Sequence, residues 1–351
     1  MNRSRTSIIL LALPFAMMTA IFIARLIVGP GWGLLPLLAM GPAIAAPLAG
    51  MAYTVAAGAV ALAACVPFLL GSQSAITYHP AQIALVAVIG ITAASILATR
   101  RRRRTDQAVA DIRLVADVAQ RVLLRPIPRQ AGPVQVAVRY LSAASGARVG
   151  GDLYEVVTTP DHMRLIVGDV EGKGLPGVAS AAAVLGVFRE AAYDEGSLAA
   201  IVARIETSLA RQLGDEQFVT AVLAEISTDG DKIEVLSCGH PAPLLLGADQ
   251  PHFAEPPGAS LPLGLADLAD VPRLPVTIPF EPGSGILFYT DGASEARNKA
   301  GEFFPLASSA SLRSPADPAT RVDQLGDEIT RYVGHEPDDD VALLLAYREA
   351  A

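Results

Sequence analysis

The chain has 351 residues with 27 basic and 35 acidic side chains, and 52% of it is hydrophobic, giving a mean hydropathy of +0.41. The charge is divided: residues 1–104 contain eight basic and no acidic side chains, so residues 105–351 set 19 basic against all 35 acidic ones, a net −16. That balance excludes nucleic acid as an expected partner, because phosphate contacts draw on Lys and Arg, whereas an acidic domain is suited to holding divalent cations.

The apolar excess lies at the start of the chain. Stretches at 7–28, 33–50, 52–71 and 80–99 each approach the ~20 residues that cross a bilayer core. They predict an all-α transmembrane region of about four helices over 1–104, with the lipid bilayer as its partner. Arg3 and Arg5 precede the first stretch, Arg100–Arg104 follow the last, and the segment 72–79 has no Lys or Arg. The positive-inside rule then places both ends, and everything after them, in the cytoplasm of a cell bounded by this inner or plasma membrane. A cleaved signal peptide fits poorly, since three more apolar segments follow. Arg25 is expected to snorkel or face a cavity. The spans lack acidic residues, which suits anchoring, sensing or dimerisation better than transport. Cys65 falls in the third stretch and Cys238 in a strand-like run, so both read as small buried hydrophobes and not as a disulfide.

From 105 to 125 the chain predicts a helical linker. Val109, Ile112, Val115, Ala116, Ala119 and Val122 recur at three- and four-residue spacings, and Pro126 and Pro128 end the helix. The apolar stripe either pairs with a second copy in a homodimer or packs on the domain that follows. In that domain, 126–351, strand signals fall at 133–141, 153–158, 163–168, 217–226, 232–238, 242–246, 285–290 and 341–347. Helices are expected at 175–191, 196–213 and 320–333, and 250–283 reads as a Pro- and Gly-rich loop. Many strands with inserted helix pairs predict an α/β sandwich of layered sheets.

The chemistry is carried by acidic motifs at strand ends: Gly150-Gly151-Asp152, Gly168-Asp169-Val170, Thr290-Asp291-Gly292 and Asp338-Asp339-Asp340. Carboxylates beside glycines that admit close backbone approach are what an oxygen-ligated Mg²⁺ or Mn²⁺ requires. Other phosphate chemistries fit poorly. Gly172-Lys173 lacks a phosphate loop's first glycine, which would stand at Val167, and Gly174 occupies its Ser/Thr position. Cys238 has no Arg-closed anion loop after it. Asp338-Asp339-Asp340 precedes its strand and lacks the Thr of a phosphoaspartyl motif. His240, between Gly239 and Pro241, reads as part of a turn. Metal-activated water remains.

The motifs occur in a fixed order: Gln120 with Leu123-Leu124 and Pro128; Val149-Gly150-Gly151-Asp152-Leu153-Tyr154; Gly168-Asp169-Val170 with Gly172-Lys173-Gly174; Phe218-Val219-Thr220-Ala221; Cys238-Gly239-His240-Pro241; Leu263-Gly264-Leu265; Tyr289-Thr290-Asp291-Gly292 with Glu295-Ala296; and Asp339-Asp340-Val341. In this order, residues ~115–348 resemble the SpoIIE-type branch of the PP2C metal-dependent protein serine/threonine phosphatases. The resemblance implies a PP2C-like β-sandwich flanked by helices, of α/β (α+β) class, with a two-ion Mn²⁺ or Mg²⁺ site. By the same resemblance Asp169 bridges the ions, the Val170 carbonyl helps hold one, Asp291 and either Asp339 or Asp340, with register against Val341 favouring Asp339, complete the other, and Asp152 acts beside them. The implied substrate is a phosphoserine or phosphothreonine on a bacterial regulatory phosphoprotein such as an anti-anti-sigma factor. Arg125, Ser142, Glu171 and Pro305 depart from the pattern, but none replaces an acidic motif residue. Glu171 and Asp340 are expected to be solvated, and Thr290 and Glu295 to cap the turn after the strand. The competing expectation is a catalytically silent phosphatase-like receptor or scaffold.

Overall fold

Apolar runs become helices in the first hundred residues and strands thereafter. The computed structural model describes residues 3–28, 33–70, 80–142, 151–172, 174–212, 217–227, 229–247, 250–258, 260–269, 272–314 and 317–350. Segment 72–79, Gly150 and Lys173, used in the reading above, lie outside them. Two compact units result, Met1–Val109 and Ala110–Ala351, so the division falls inside one helix.

The first unit contains α1 (Arg3–Val28), a 3₁₀ turn (Leu35–Ala39), α2 (Met40–Ala49), α3 (Met51–Leu70) and the start of α4 (Pro80–Leu123). Stretches within α1, α3 and α4 (Leu10–Val28, Met51–Leu70 and Gln82–Ala108) are long and apolar enough to cross a membrane. The second expected span is shorter than its apolar run suggested. Leu35–Ala49 holds Pro36, Pro42 and Pro47 and begins as a 3₁₀ turn, so its regular helix covers only ten residues. Leu38, Ala45, Ala57, Ala61, Cys65 and Ala84 pack where the helices meet. Small residues there let backbones approach: a Cβ at Gly58 would sit 2.5 Å from the Thr92 methyl. Gly50 forms the α2–α3 corner beside the Arg103 guanidinium, and Arg100 Nε donates to Met51 Sδ at 3.3 Å. The α2–α3 corner and the basic run therefore share one end of this unit. Arg25 stacks over Phe68, 5.1 Å from the ring centre.

The second unit is a four-layer sandwich. One sheet has the order β1 (Gln130–Ala131), β2 (Val134–Leu141), β11 (Val341–Arg348), β10 (Gly285–Tyr289), β7 (Leu244–Leu246), β8 (His252–Phe253). The other runs β3 (Leu153–Thr158), β4 (His162–Val170), β5 (Val219–Ser227), β6 (Lys232–Cys238), β9 (Val276–Pro279). All named pairings are antiparallel. The short strands β8 and β9 lie in the segment read from sequence as a loop. The period-two alternation explains why the central strands are apolar throughout. Leu165, Val167, Ile286, Phe288 and Leu344 face the opposite sheet, while Ile166, Leu287 and Leu343 face the helices outside. Helices α5 (Leu175–Asp194) and α6 (Leu198–Gln212) cover the second sheet, and α8 (Pro318–Val333) covers the first. Helix α5 also has the length and composition of a span, but Val184, Leu185 and Phe188 are fully buried in the sandwich. Asp317 caps α8 through Thr320 N–H at 3.1 Å, and Gly334 closes it with φ 81°.

Candidate metal centre

Both sheets end their acid-bearing strands at the same place. Asp152 stands just ahead of β3, and Asp169 and Val170 close β4. Pairing of Leu153 with Gly168 sets Asp152 across from Asp169. Asp291 opens the short helix α7 (Asp291–Ser294) after β10, and Asp339 lies in the turn before β11. The β10–β11 ladder brings Thr290 N–H onto the Ala342 carbonyl at 3.1 Å, so the second pair of acids also converges.

The carboxyls feel one another. Burial pushes Asp152 well above the ordinary carboxylate range, Asp169 pushes it further, and Asp340 and Asp291 add to this against the hydrogen bond from Thr290. Asp169 rises to about 7, through burial first and then Asp291 and Asp339, opposed by hydrogen bonds with Asp152 and Val170 N–H. Among the described residues no three His, Cys, Asp or Glu side chains are close enough to chelate an ion by themselves. The oxygen-only donor set fits Mg²⁺ or Mn²⁺, which keep much of their water and take one or two carboxylates. The backbone is shaped for it as well. A Cβ at Gly151 would come within 2.5 Å of the Val170 carbonyl oxygen and 2.7 Å of Asp169 Oδ1, so only glycine leaves those two oxygens their present places. A Cβ at Gly292 would collide with the Asp340 carbonyl.

Several supporting residues were not legible in this role. Thr290 was expected to cap α7, yet its side chain makes no cap bond. Its hydroxyl donates to Asp152 Oδ2 at 2.7 Å and accepts from Ala342 N–H at 2.9 Å, joining the two sheets. Asp340 was expected to be solvated; it is 1% exposed and accepts from the Tyr140 hydroxyl. Asp339 instead lines a cleft of about 210 Å³ with Asp291, Glu295, Arg297 and Asp338. Gln120, near the end of α4, donates to Tyr140 Oη at 2.7 Å and to the Asp152 carbonyl at 3.3 Å. His240 is no turn residue on the surface. It is buried, with Nδ1 3.0 Å from Thr220 Oγ1 and Nε2 3.0 Å from the Tyr289 carbonyl. The carbonyl can only accept, so Nε2 carries the proton, and burial lowers the pKa of His240 to about 4. Each of these bonds joins residues far apart in sequence.

The family described as Stage II sporulation protein E (SpoIIE) matches residues 159–349, more than half of the chain. The chain belongs to the SpoIIE family. It is thereby a member of the PP2C-type serine/threonine phosphatases, and its matched segment contains Asp169, Val170, Asp291 and Asp339 but begins after Asp152. Solved structures repeat the fold. The SiaA-PP2C domain of Pseudomonas aeruginosa aligns at TM-score 0.57 with 20% identity, over 70% of this SpoIIE-family chain and 98% of that domain. The RsbU and RsbW domains of Rv1364c from Mycobacterium tuberculosis give 0.53 with 24% identity, over 65% and 63%. The phosphatase domain of SpoIIE from Bacillus subtilis, with a fragment of its regulatory domain, gives 0.53 with 17% identity, over 61% and 63%. The chain thus spans about 63% of the length of each of the last two.

Proposed function

We propose that this protein is a membrane-anchored, metal-dependent phosphatase acting on phosphoserine or phosphothreonine of a regulatory phosphoprotein, an anti-anti-sigma factor being the substrate class that the family resemblance implies. The observation that carries the reading is the convergence of Asp152, Asp169, Asp291 and Asp339 from both sheets into one mutually charged cluster. Asp169 and the Val170 carbonyl would hold one Mn²⁺ or Mg²⁺ ion, Asp169 with Asp291 and Asp339 a second, and Asp152 would act beside both. Such ions supply Lewis acidity toward water and phosphoryl oxygens. The chain's own groups do the positioning. Thr290 fixes Asp152, and Tyr140 turns Asp340 inward, which leaves Asp339 on the cleft. Arg297, its guanidinium 4.1 Å above the Phe303 ring, supplies a cation at the mouth of an otherwise acidic cleft.

The three long apolar helices and the shared end of Gly50 and Arg103 support insertion of α1–α4 in the membrane, with the basic run on the cytoplasmic face and the domain beyond it in the cytoplasm. The 105–125 helix is where we place a homodimer contact. Val115, Val118 and Val122 lie there on one exposed face.

The test is Mn²⁺-dependent hydrolysis of a phosphoserine peptide by the full chain in detergent, beside Asp169→Asn and Asp291→Asn. Turnover that needs the metal and falls at least about hundredfold in both variants is expected. Turnover indifferent to metal or to both substitutions would sink the proposal.

A further inference from the structure

The six-stranded sheet has a second cleft at the end away from the acidic cluster. It encloses about 560 Å³ between Leu246, Gly283 and Tyr347, where β7 ends, β10 begins and β11 nears its close. The volume lies within the roughly 300–1,000 Å³ typical of small-molecule sites. Its charged lining is two guanidinium groups, Arg313 and Arg321, and no carboxylate among the described residues.

Arg321 is an unusual cation. It is 6% exposed, one of its terminal nitrogens donates to the Leu312 carbonyl, and its Nε is buried with no hydrogen-bond partner among the described residues. Its guanidinium lies 5.3 Å from the centre of the Tyr347 ring. Burial of a charge without an opposite charge is costly, and Arg321 also sits one turn inside the N-terminus of α8, the positive end of that helix. Burial holds its pKa below the ordinary guanidinium value. Arg313 stands exposed at the rim, one terminal nitrogen on the Ser308 carbonyl at 2.6 Å. An anion in the cleft, beside the Arg321 guanidinium, would offset its desolvation and favour the helix end.

We propose that this cleft is a binding site for a small organic oxyanion, whose phosphate or carboxylate group is held by Arg321 and Arg313. The site is separate from the metal centre, and its occupancy requires neither metal nor turnover.

The experiment uses the full chain in a phosphate-free detergent, stripped with EDTA so that the acidic cluster holds no ion for phosphate to join. Inorganic phosphate and, separately, citrate are titrated by calorimetry. One saturable site for at least one probe is expected, weakened about tenfold by Arg321→Lys, which keeps the charge but removes the fork and Nε–H. The exposed Arg313→Gln, which removes no buried group, is expected to weaken it severalfold. Binding of phosphate alone assigns a phosphate-bearing ligand, and binding of citrate alone a carboxylate. Absence of saturable binding for both probes, or equal binding in wild type and both variants, overturns the proposal. A catalytically inactive protein would leave this result unaffected.

Discussion

Thr290 has one proton and two partners, and that makes it the residue whose loss is most informative. Thr290→Val keeps the shape but leaves Asp152 Oδ2 and Ala342 N–H without their bond, a cost of about 1–3 kcal/mol for buried groups. We expect a rise of roughly tenfold or more in the Mn²⁺ concentration needed for half-maximal activity, with Thr290→Ser near wild type. Equal metal dependence in all three proteins would remove Thr290 from the site. Asp169 sets a pH dependence. Its folded value of about 7 lies above that of a free carboxylate, so the metal-free fold is favoured at acid pH and loses stability as pH rises through about 7. Protection factors along β10 and β11 in EDTA, that is, exchange rates corrected for the intrinsic base catalysis of exchange, should therefore be lower at pH 8 than at pH 5. Mn²⁺ should reverse the difference, and Asp169→Asn should diminish it. The carboxylates themselves stood out because each borders an apolar, strand-like run, with Asp152, Asp169 and Asp291 beside a glycine. Thr290, Tyr140 and His240 did not, since their partners lie 138, 200 and 49 positions away and no local pattern marks them.

At the scale of elements, continuous apolar runs marked the long central strands, buried on both faces, and the helices that became α6 and α8 were expected between them. What escaped was short or at an edge. β8 is two exposed residues, and β9 is a four-residue edge strand ending in a proline, with Ile278 packed on the core, too short for its alternation to stand out. The 33–50 run carries Pro36, Pro42 and Pro47, so its helix opens as a 3₁₀ turn and is shorter than the run itself. Helix α4 ends where Arg189 of α5 donates to the Leu123 carbonyl at 2.7 Å and pairs with buried Glu155 of β3. Arg189→Met would strand that carboxylate, at a cost of about 3–5 kcal/mol. Faster hydrogen exchange throughout β3 is the expected outcome, partly restored when Glu155→Gln is added. Unchanged exchange would show the pair to be idle.

Across the whole molecule the division of charge was the plainest signal: 104 residues without an acid, then a domain of net −16. The structural division falls within α4 at Val109 and not at the end of the arginine run. The topology proposed above can be read by labelling. In a chain with Cys65 and Cys238 replaced by Ala, Arg104→Cys should react with an impermeant thiol reagent only from the cytoplasmic side, and Ser74→Cys only from the other. Reaction of both from one side would contradict a crossing by α4.

The hydrogen bonds of Thr290 also carry a direction. Ala342 N–H can only donate, so the threonine hydroxyl must spend its single proton on Asp152 Oδ2, and that oxygen must be bare. A proton held by Asp152 is confined to Oδ1, from which it reaches the Asp169 carboxylate with which Asp152 shares a hydrogen bond. The raised values of both carboxyls point to one proton shared between the two aspartates. A divalent ion held by them would displace that proton to solvent, so its binding would exchange one positive charge carrier for another.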